Sequence, residues 1–83
     1  MTNVETFRLA LVAAYTQLFA DDPAYAYSAS TTTPDVLATK MTDAMLKGSA
    51  NHTGAGFKRA CKAVGIKPTR TAILDYLKAT EHP

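Results

Sequence analysis

The chain has 83 residues, of which 47% are hydrophobic and 19% are charged, and its formal net charge at pH 7 is +2. A chain of this length forms one domain with a small core and buries only about 60–65% of the surface that its unfolded form exposes. A cleft that encloses a substrate would compete with this core for the same few apolar side chains, so the composition argues against an enzyme.

The single cysteine, Cys61, excludes an intramolecular disulfide and is typical of a reducing compartment such as the cytoplasm. With two histidines, His52 and His82, and one thiol, a four-ligand zinc site would need carboxylates or a second chain. We therefore expect no metal and no cofactor.

A secretory leader is the alternative interpretation of the N-terminal region. Residues 9–19 are largely apolar, and Ala24-Tyr25-Ala26 has the form of a cleavage site. Glu5 precedes the apolar run, however, and Thr16 and Gln17 interrupt it, which is unfavourable for a leader. No stretch approaches the roughly 20 apolar residues of a membrane span. The sequence thus predicts a cytoplasmic protein with no membrane association.

The first predicted helix covers residues 3–20. Thr2 and Glu5 have the spacing of a capping box, in which each side chain satisfies a backbone donor at the helix start. One face of this helix is apolar at helical spacing. It consists of Val4, Phe7, Leu11, Ala14, Tyr15, Leu18 and Phe19.

Residues 21–33 are predicted to form a long loop. Asp21-Asp22-Pro23 ends the first helix, because the residue before a proline is pushed out of helical geometry. The following Ala, Tyr, Ser and Thr residues are compatible with a short extended strand or with a strap over the core. Loops of this length are commonly functional or mobile.

The second predicted helix covers residues 34–47. Thr33-Pro34-Asp35 combines a hydroxyl cap, a proline at the first position and an acid near the positive end of the helix dipole. Its predicted buried face consists of Leu37, Ala38, Met41, Ala44 and Met45. The glycine-containing stretch 48–56 is predicted to be a connector. A phosphate cradle at Gly54-Ala55-Gly56 is a weaker alternative, because the lysine and the hydroxyl of a P-loop are missing at the required spacing and no strand precedes it.

Two shorter helices are predicted over residues 55–64 and 68–79. In the third, Phe57, Ala60, Cys61 and Val64 have the spacing of one buried face. In the fourth, the buried positions are Ala72, Ile73, Tyr76 and Leu77. The predicted fold is all-α: a small single-domain bundle of four helices over residues 1–83.

Charge is unevenly distributed along the chain. Residues 44–74 hold six bases and no acid, whereas the rest of the chain holds three bases and seven acids. The six bases are Lys47, Lys58, Arg59, Lys62, Lys67 and Arg70. The formal charge is therefore +6 in this segment and −4 in the rest of the chain. Such a distribution favours a polyanionic partner such as duplex DNA.

Residues 57–77 resemble the helix-turn-helix of small DNA-binding proteins. Ala60 or Cys61 supplies the small residue that lets two helices approach, Gly65 ends the first helix, and the apolar Ile66 follows it. The resemblance implies that Thr69, Arg70 and Thr71 read base edges. It also implies that four bases meet phosphates: Lys58, Arg59, Lys62 and Lys67.

The resemblance departs from the family at Thr71, where an apolar residue is usual, so the second helix is expected to be rotated or to begin later. The same C-terminal region is similar to the end of small helical proteins of unassigned activity from proteobacteria and their prophages.

Less specific interpretations stand beside these predictions. A basic helix face is commonly a solvated face, and a thiol on an apolar stripe, such as Cys61, is commonly a core residue. Exposed Leu9, Val36 and Leu46 favour an alternative function, a protein-interaction module or a homodimer with no nucleic-acid role. In this alternative the basic half docks on an acidic protein or on a second copy of the chain. The leading prediction is a non-catalytic nucleic-acid-binding or regulatory protein with no small-molecule substrate.

Overall fold

Helix α1 (Asn3–Asp21) is the central element of the fold, because α3, α4 and α5 all pack against it. It begins with the predicted capping box. The Thr2 hydroxyl accepts a hydrogen bond from the Glu5 N–H at 3.2 Å, and the Glu5 carboxylate accepts one from the Thr2 N–H at 3.4 Å. Apolar residues lie around much of its circumference, so it can receive neighbours on several sides. Its buried residues are Phe7, Leu11, Ala14, Tyr15 and Leu18.

The computed structural model describes residues 1–48 and 54–79, and within them the chain is all-helical. The remaining helices are α2 (Ala26–Thr31), α3 (Pro34–Leu46), α4 (Ala55–Val64) and α5 (Arg70–Lys78). A short 3-10 helix, Pro23–Tyr25, joins α1 to α2. The described part of the chain therefore has five α-helices where the sequence predicts four.

The prediction of a loop over residues 21–33 is wrong, because most of these residues are helical. The Asp22 carboxylate accepts a hydrogen bond from the Ala24 N–H at 2.9 Å and caps the 3-10 helix. In α2 the hydroxyls of Ser30 and Thr31 donate to the Tyr27 carbonyl at 2.8 and 3.0 Å. Hydroxyl residues that resemble a loop in composition thus satisfy their polar groups within a helix.

The core lies where α3, α4 and α5 meet α1. The rings of Phe57 and Tyr76 pack against the ring of Phe7, with centroid distances of 6.0 and 6.3 Å. The Asn3 side-chain amide donates to the Tyr76 carbonyl at 2.9 Å, which joins the start of α1 to the last turn of α5. The same carbonyl, near the end of α5, also accepts a hydrogen bond from the Ala79 N–H at 3.3 Å.

Helix α3 buries Ala38, Thr42 and Met45. Leu37 and Met41, which the sequence predicts as buried, are only partly so. The Thr42 hydroxyl donates to the Ala38 carbonyl at 2.8 Å, so this polar side chain enters the core without an unsatisfied donor. The inner face of α3 is therefore rotated slightly from the one that apolar residues alone predict.

The connection between α4 and α5 differs from that of a helix-turn-helix. Gly65 adopts a left-handed conformation, φ 79°, and the N–H of Ile66 donates to the Cys61 carbonyl at 3.0 Å, which completes a Schellman motif. Thr69 then caps α5, so five residues separate the helices, against three or four in the family. Both helices pack more against α1 than against each other, and Thr71 is exposed. The structure does not confirm a helix-turn-helix here.

Candidate nucleic-acid interface

The outer face of α4 carries three exposed cations. Lys58, Arg59 and Lys62 lie on the side opposite Phe57 and Cys61, both of which are buried. Lys67, in the connection that follows, is also exposed. We call Lys58, Arg59, Lys62 and Lys67 the basic face. Because the buried side of α4 packs on α1, Lys58, Arg59 and Lys62 are presented by a helix that is held in place.

The basic face has no acidic partner among residues 1–48 and 54–79. Within this part of the chain the structure has one ion pair between described side chains, which joins Arg8 on α1 to Asp35 on α3 at 3.1 Å. Arg8, which projects toward the apolar side of α1, is thereby satisfied. The charges of the basic face are not neutralised by any described carboxylate within 4.0 Å.

Arg59 is held by a neutral acceptor. Its Nη1 donates to the Gln17 side-chain oxygen at 3.3 Å, across the contact between α4 and α1. An amide oxygen orients a guanidinium without cancelling its charge. Four of the five N–H donors of a guanidinium are left for another acceptor after one such bond.

Arg70, predicted to read bases, instead contacts the end of α3. Its Nη2 donates to the Gly48 carbonyl at 3.2 Å. Gly48 has φ 77°, and a Cβ atom at this position would lie 2.9 Å from Arg70 Nη2. A cation at a helix C-terminus is favoured by the dipole, so Arg70 has a structural role at the junction of α3 and α5.

The other two predicted base readers differ from each other. The Thr69 hydroxyl accepts a hydrogen bond from the Ala72 N–H at 3.2 Å and caps α5. Thr71 is exposed and makes no side-chain hydrogen bond to any described residue. The structure thus brings Lys58, Arg59 and Lys62 together on one helix, whereas Thr69 and Arg70 are engaged elsewhere in the fold.

The remaining candidate sites are placed as follows. Cys61 is fully buried, and burial raises the pKa of its thiol, so it behaves as a core residue. Gly56 lies inside α4 against Tyr15 and is not part of a connector or an open cradle. His52 and His82 lie outside the described residues, and among the residues described no three His, Cys, Asp or Glu side chains could share a metal ion.

Two residues that position this region have no signal in the sequence. Gln17 and Gly48 contact Arg59 and Arg70 across 42 and 22 positions. Neither residue type at its position suggests such a contact, since a glutamine on an exposed helix face and a glycine after a helix both have ordinary local explanations.

No family model matches this chain, and no curated protein or solved structure is significantly similar to it. In the described part of the chain, no helix combines the length and the apolar character that crossing a bilayer requires.

Proposed function

We propose that this chain is a small, non-catalytic nucleic-acid-binding or regulatory protein that contacts DNA phosphates through its basic C-terminal half. The observation that carries the proposal is the basic face: four exposed cations with no described carboxylate within 4.0 Å. The proposal places the protein in the cytoplasm, where DNA and a reduced thiol are both expected.

Counterion release is the physical basis of this proposal. Each cation that neutralises a phosphate releases condensed counterions. The logarithm of the binding constant for duplex DNA therefore falls linearly with the logarithm of the salt concentration, and each phosphate contact adds about 0.9 to this salt slope. A cation already paired with a carboxylate would first have to give up that partner. Lys58, Lys62 and Lys67 have no such partner to give up among the described residues.

The proposal is tested with two double variants of equal charge. Lys58→Gln/Lys62→Gln removes two cations from the basic face, and Lys40→Gln/Lys78→Gln removes two exposed cations from α3 and α5. Binding to a labelled duplex is measured by fluorescence anisotropy over a range of salt. The first variant should lower the salt slope by about 1.8, and the second should leave it nearly unchanged. Equal losses in both variants, or no binding by the native chain at low salt, would refute the proposal.

A second candidate function is supported by exposed apolar side chains. Val36 is 59% exposed and Leu9 is 45% exposed, close in the fold to the Arg8–Asp35 ion pair. Such side chains are compatible with a protein-interaction module or a homodimer. Sedimentation equilibrium distinguishes this candidate, because a complex held by apolar contacts persists at high salt, whereas DNA binding weakens.

A further inference from the structure

The predicted base readers are largely committed to the fold. Sequence is read by side chains that reach base edges in the grooves, mainly Arg, Lys, Asn and Gln. Thr69 uses its hydroxyl to cap α5, and Arg70 donates to the Gly48 carbonyl. Only Thr71 of the three predicted readers is exposed without an internal bond to the described residues. The start of α5 is thus poorly equipped for base recognition.

The exposed face of α4 has the composition of a backbone-contacting surface. Ala55 and Ala63 lie beside Lys58, Arg59 and Lys62, and all five are exposed. Alanine side chains let a helix approach a phosphate closely, and a lysine ammonium binds phosphate as a point charge with no directional requirement. Lys58 and Lys62 are one helical turn apart, so they lie next to each other on this face.

Aromatic stacking is also missing from this surface. Proteins that bind single strands place exposed aromatic rings where successive bases can stack. Among the described residues of the C-terminal half, Phe57 is 1% exposed, and the half-buried Tyr76 packs against Phe7. A duplex carries one phosphate charge per about 1.7 Å of its axis, so a surface that acts by charge alone favours duplex over single-stranded DNA.

We infer that the basic face binds the phosphate backbone of duplex DNA without regard to base sequence, and that it prefers duplex to single strands. This inference rests on the proposed function and specifies its ligand. Phosphate contacts position a protein on DNA but carry no sequence information, and the one guanidinium of the basic face, Arg59, is oriented by the Gln17 side-chain oxygen.

Competition experiments with the full chain test this inference. Unlabelled duplexes of unrelated sequence and equal length compete with a labelled duplex at low salt, and a single strand of matched charge competes in parallel. We expect the affinities of these duplexes to differ by no more than about threefold. Sequence-specific proteins, by contrast, bind their site at least about a thousandfold more tightly than other DNA. The single strand should compete less well than every duplex.

The outcomes separate the inference from the proposed function. Binding to one duplex more than about tenfold tighter than to the others would overturn sequence independence while the proposed function stands. Equal competition by the single strand would overturn the duplex preference. No binding to any duplex would remove the proposed function itself. The variant Thr71→Ala provides a further check, since it should leave the ranking of the duplexes unchanged, and a changed ranking would identify Thr71 as a base reader.

Discussion

Gly56 on α4 lies directly against the ring of Tyr15 on α1. A Cβ atom at Gly56 would lie 2.8 Å from Tyr15 Cζ, well inside van der Waals contact. The Tyr15 ring cannot turn away easily, because it packs against Phe19 and Tyr25 with centroid distances of 6.1 and 6.3 Å. The missing side chain at Gly56 therefore determines how closely α4 approaches α1.

Gly56→Ala should destabilise the protein despite the better helix propensity of alanine. Overpacking costs about 1–3 kcal/mol, and the propensity gain offsets about 1 kcal/mol of this. We expect a net loss of up to about 2 kcal/mol in the free energy of unfolding, measured by urea denaturation with circular dichroism. In a Tyr15→Leu background the same substitution should be neutral or stabilising; an equal loss in both backgrounds would contradict this packing. Gly54→Ser is the control, because no described residue other than the chain neighbours of Gly54 has an atom within 4 Å of a Cβ there.

Local signals predict much of this fold. The capping box at Thr2 and Glu5, the proline start at Pro34 and the stop at Gly65 each act within about one helical turn. The sequence carries such signals directly, so α1, α3 and α4 begin and end close to their predicted positions. Helix α2 is not predicted from the sequence, because the contacts that hold it come from another part of the chain. The Tyr25 ring, just before α2, packs on Tyr15 and Phe19 of α1.

The buried Thr42 offers a second test of stability. Its hydroxyl donates to a carbonyl of the preceding helical turn, which the helix backbone also engages. Thr42→Val keeps the branched shape and leaves no buried donor unsatisfied, so we expect stability to change by less than about 1 kcal/mol, or to rise. Thr42→Ala opens a cavity as well and should cost more. Thermal unfolding of both variants compares them, and a larger loss for valine than for alanine would contradict the assignment.

Tyr15 should make stability depend on alkaline pH. Burial raises the pKa of its phenol from 10.0 to about 12, and the neighbouring Tyr25 adds to the shift. The folded state favours the neutral phenol, which ionises more readily in the unfolded chain. The stability that the neutral phenol contributes is therefore fully present below about pH 10 and is lost as pH rises toward 12. The loss amounts to at most about 2–3 kcal/mol.

The variant Tyr15→Phe isolates this contribution from other groups that titrate in the same range. The difference in unfolding free energy between the native chain and Tyr15→Phe should shift in favour of the variant between pH 10 and 12. Urea denaturation at several pH values measures it. Parallel stability curves for the two proteins would show that the Tyr15 phenol does not titrate differently in the folded state.

The candidate site is predictable from the sequence only in part. The exposure of Lys58, Arg59 and Lys62 follows from the apolar period of α4, which places them opposite Phe57 and Cys61. The engagement of Arg70 by Gly48 depends on how α3 and α5 meet, and no local pattern encodes a contact across 22 positions.

The contact between Arg59 and Gln17 allows the charge of the basic face to be altered without removing a cation. Gln17 is exposed on α1, and its side-chain oxygen accepts from Arg59 at 3.3 Å. Gln17→Glu replaces this neutral acceptor with a carboxylate of nearly the same shape. The resulting ion pair should contribute little to stability, since exposed pairs are worth about 0–1 kcal/mol.

DNA binding should nevertheless weaken in Gln17→Glu, because Arg59 would then carry a partner that it must release before meeting a phosphate. We expect the salt slope to fall by about 0.9, the contribution of one phosphate contact. Thr39→Glu is the matched control, since it adds the same charge at an exposed position on α3. Fluorescence anisotropy with one duplex compares the two variants. If both weaken binding equally, net charge rather than the basic face governs affinity, and Arg59 is not a phosphate contact.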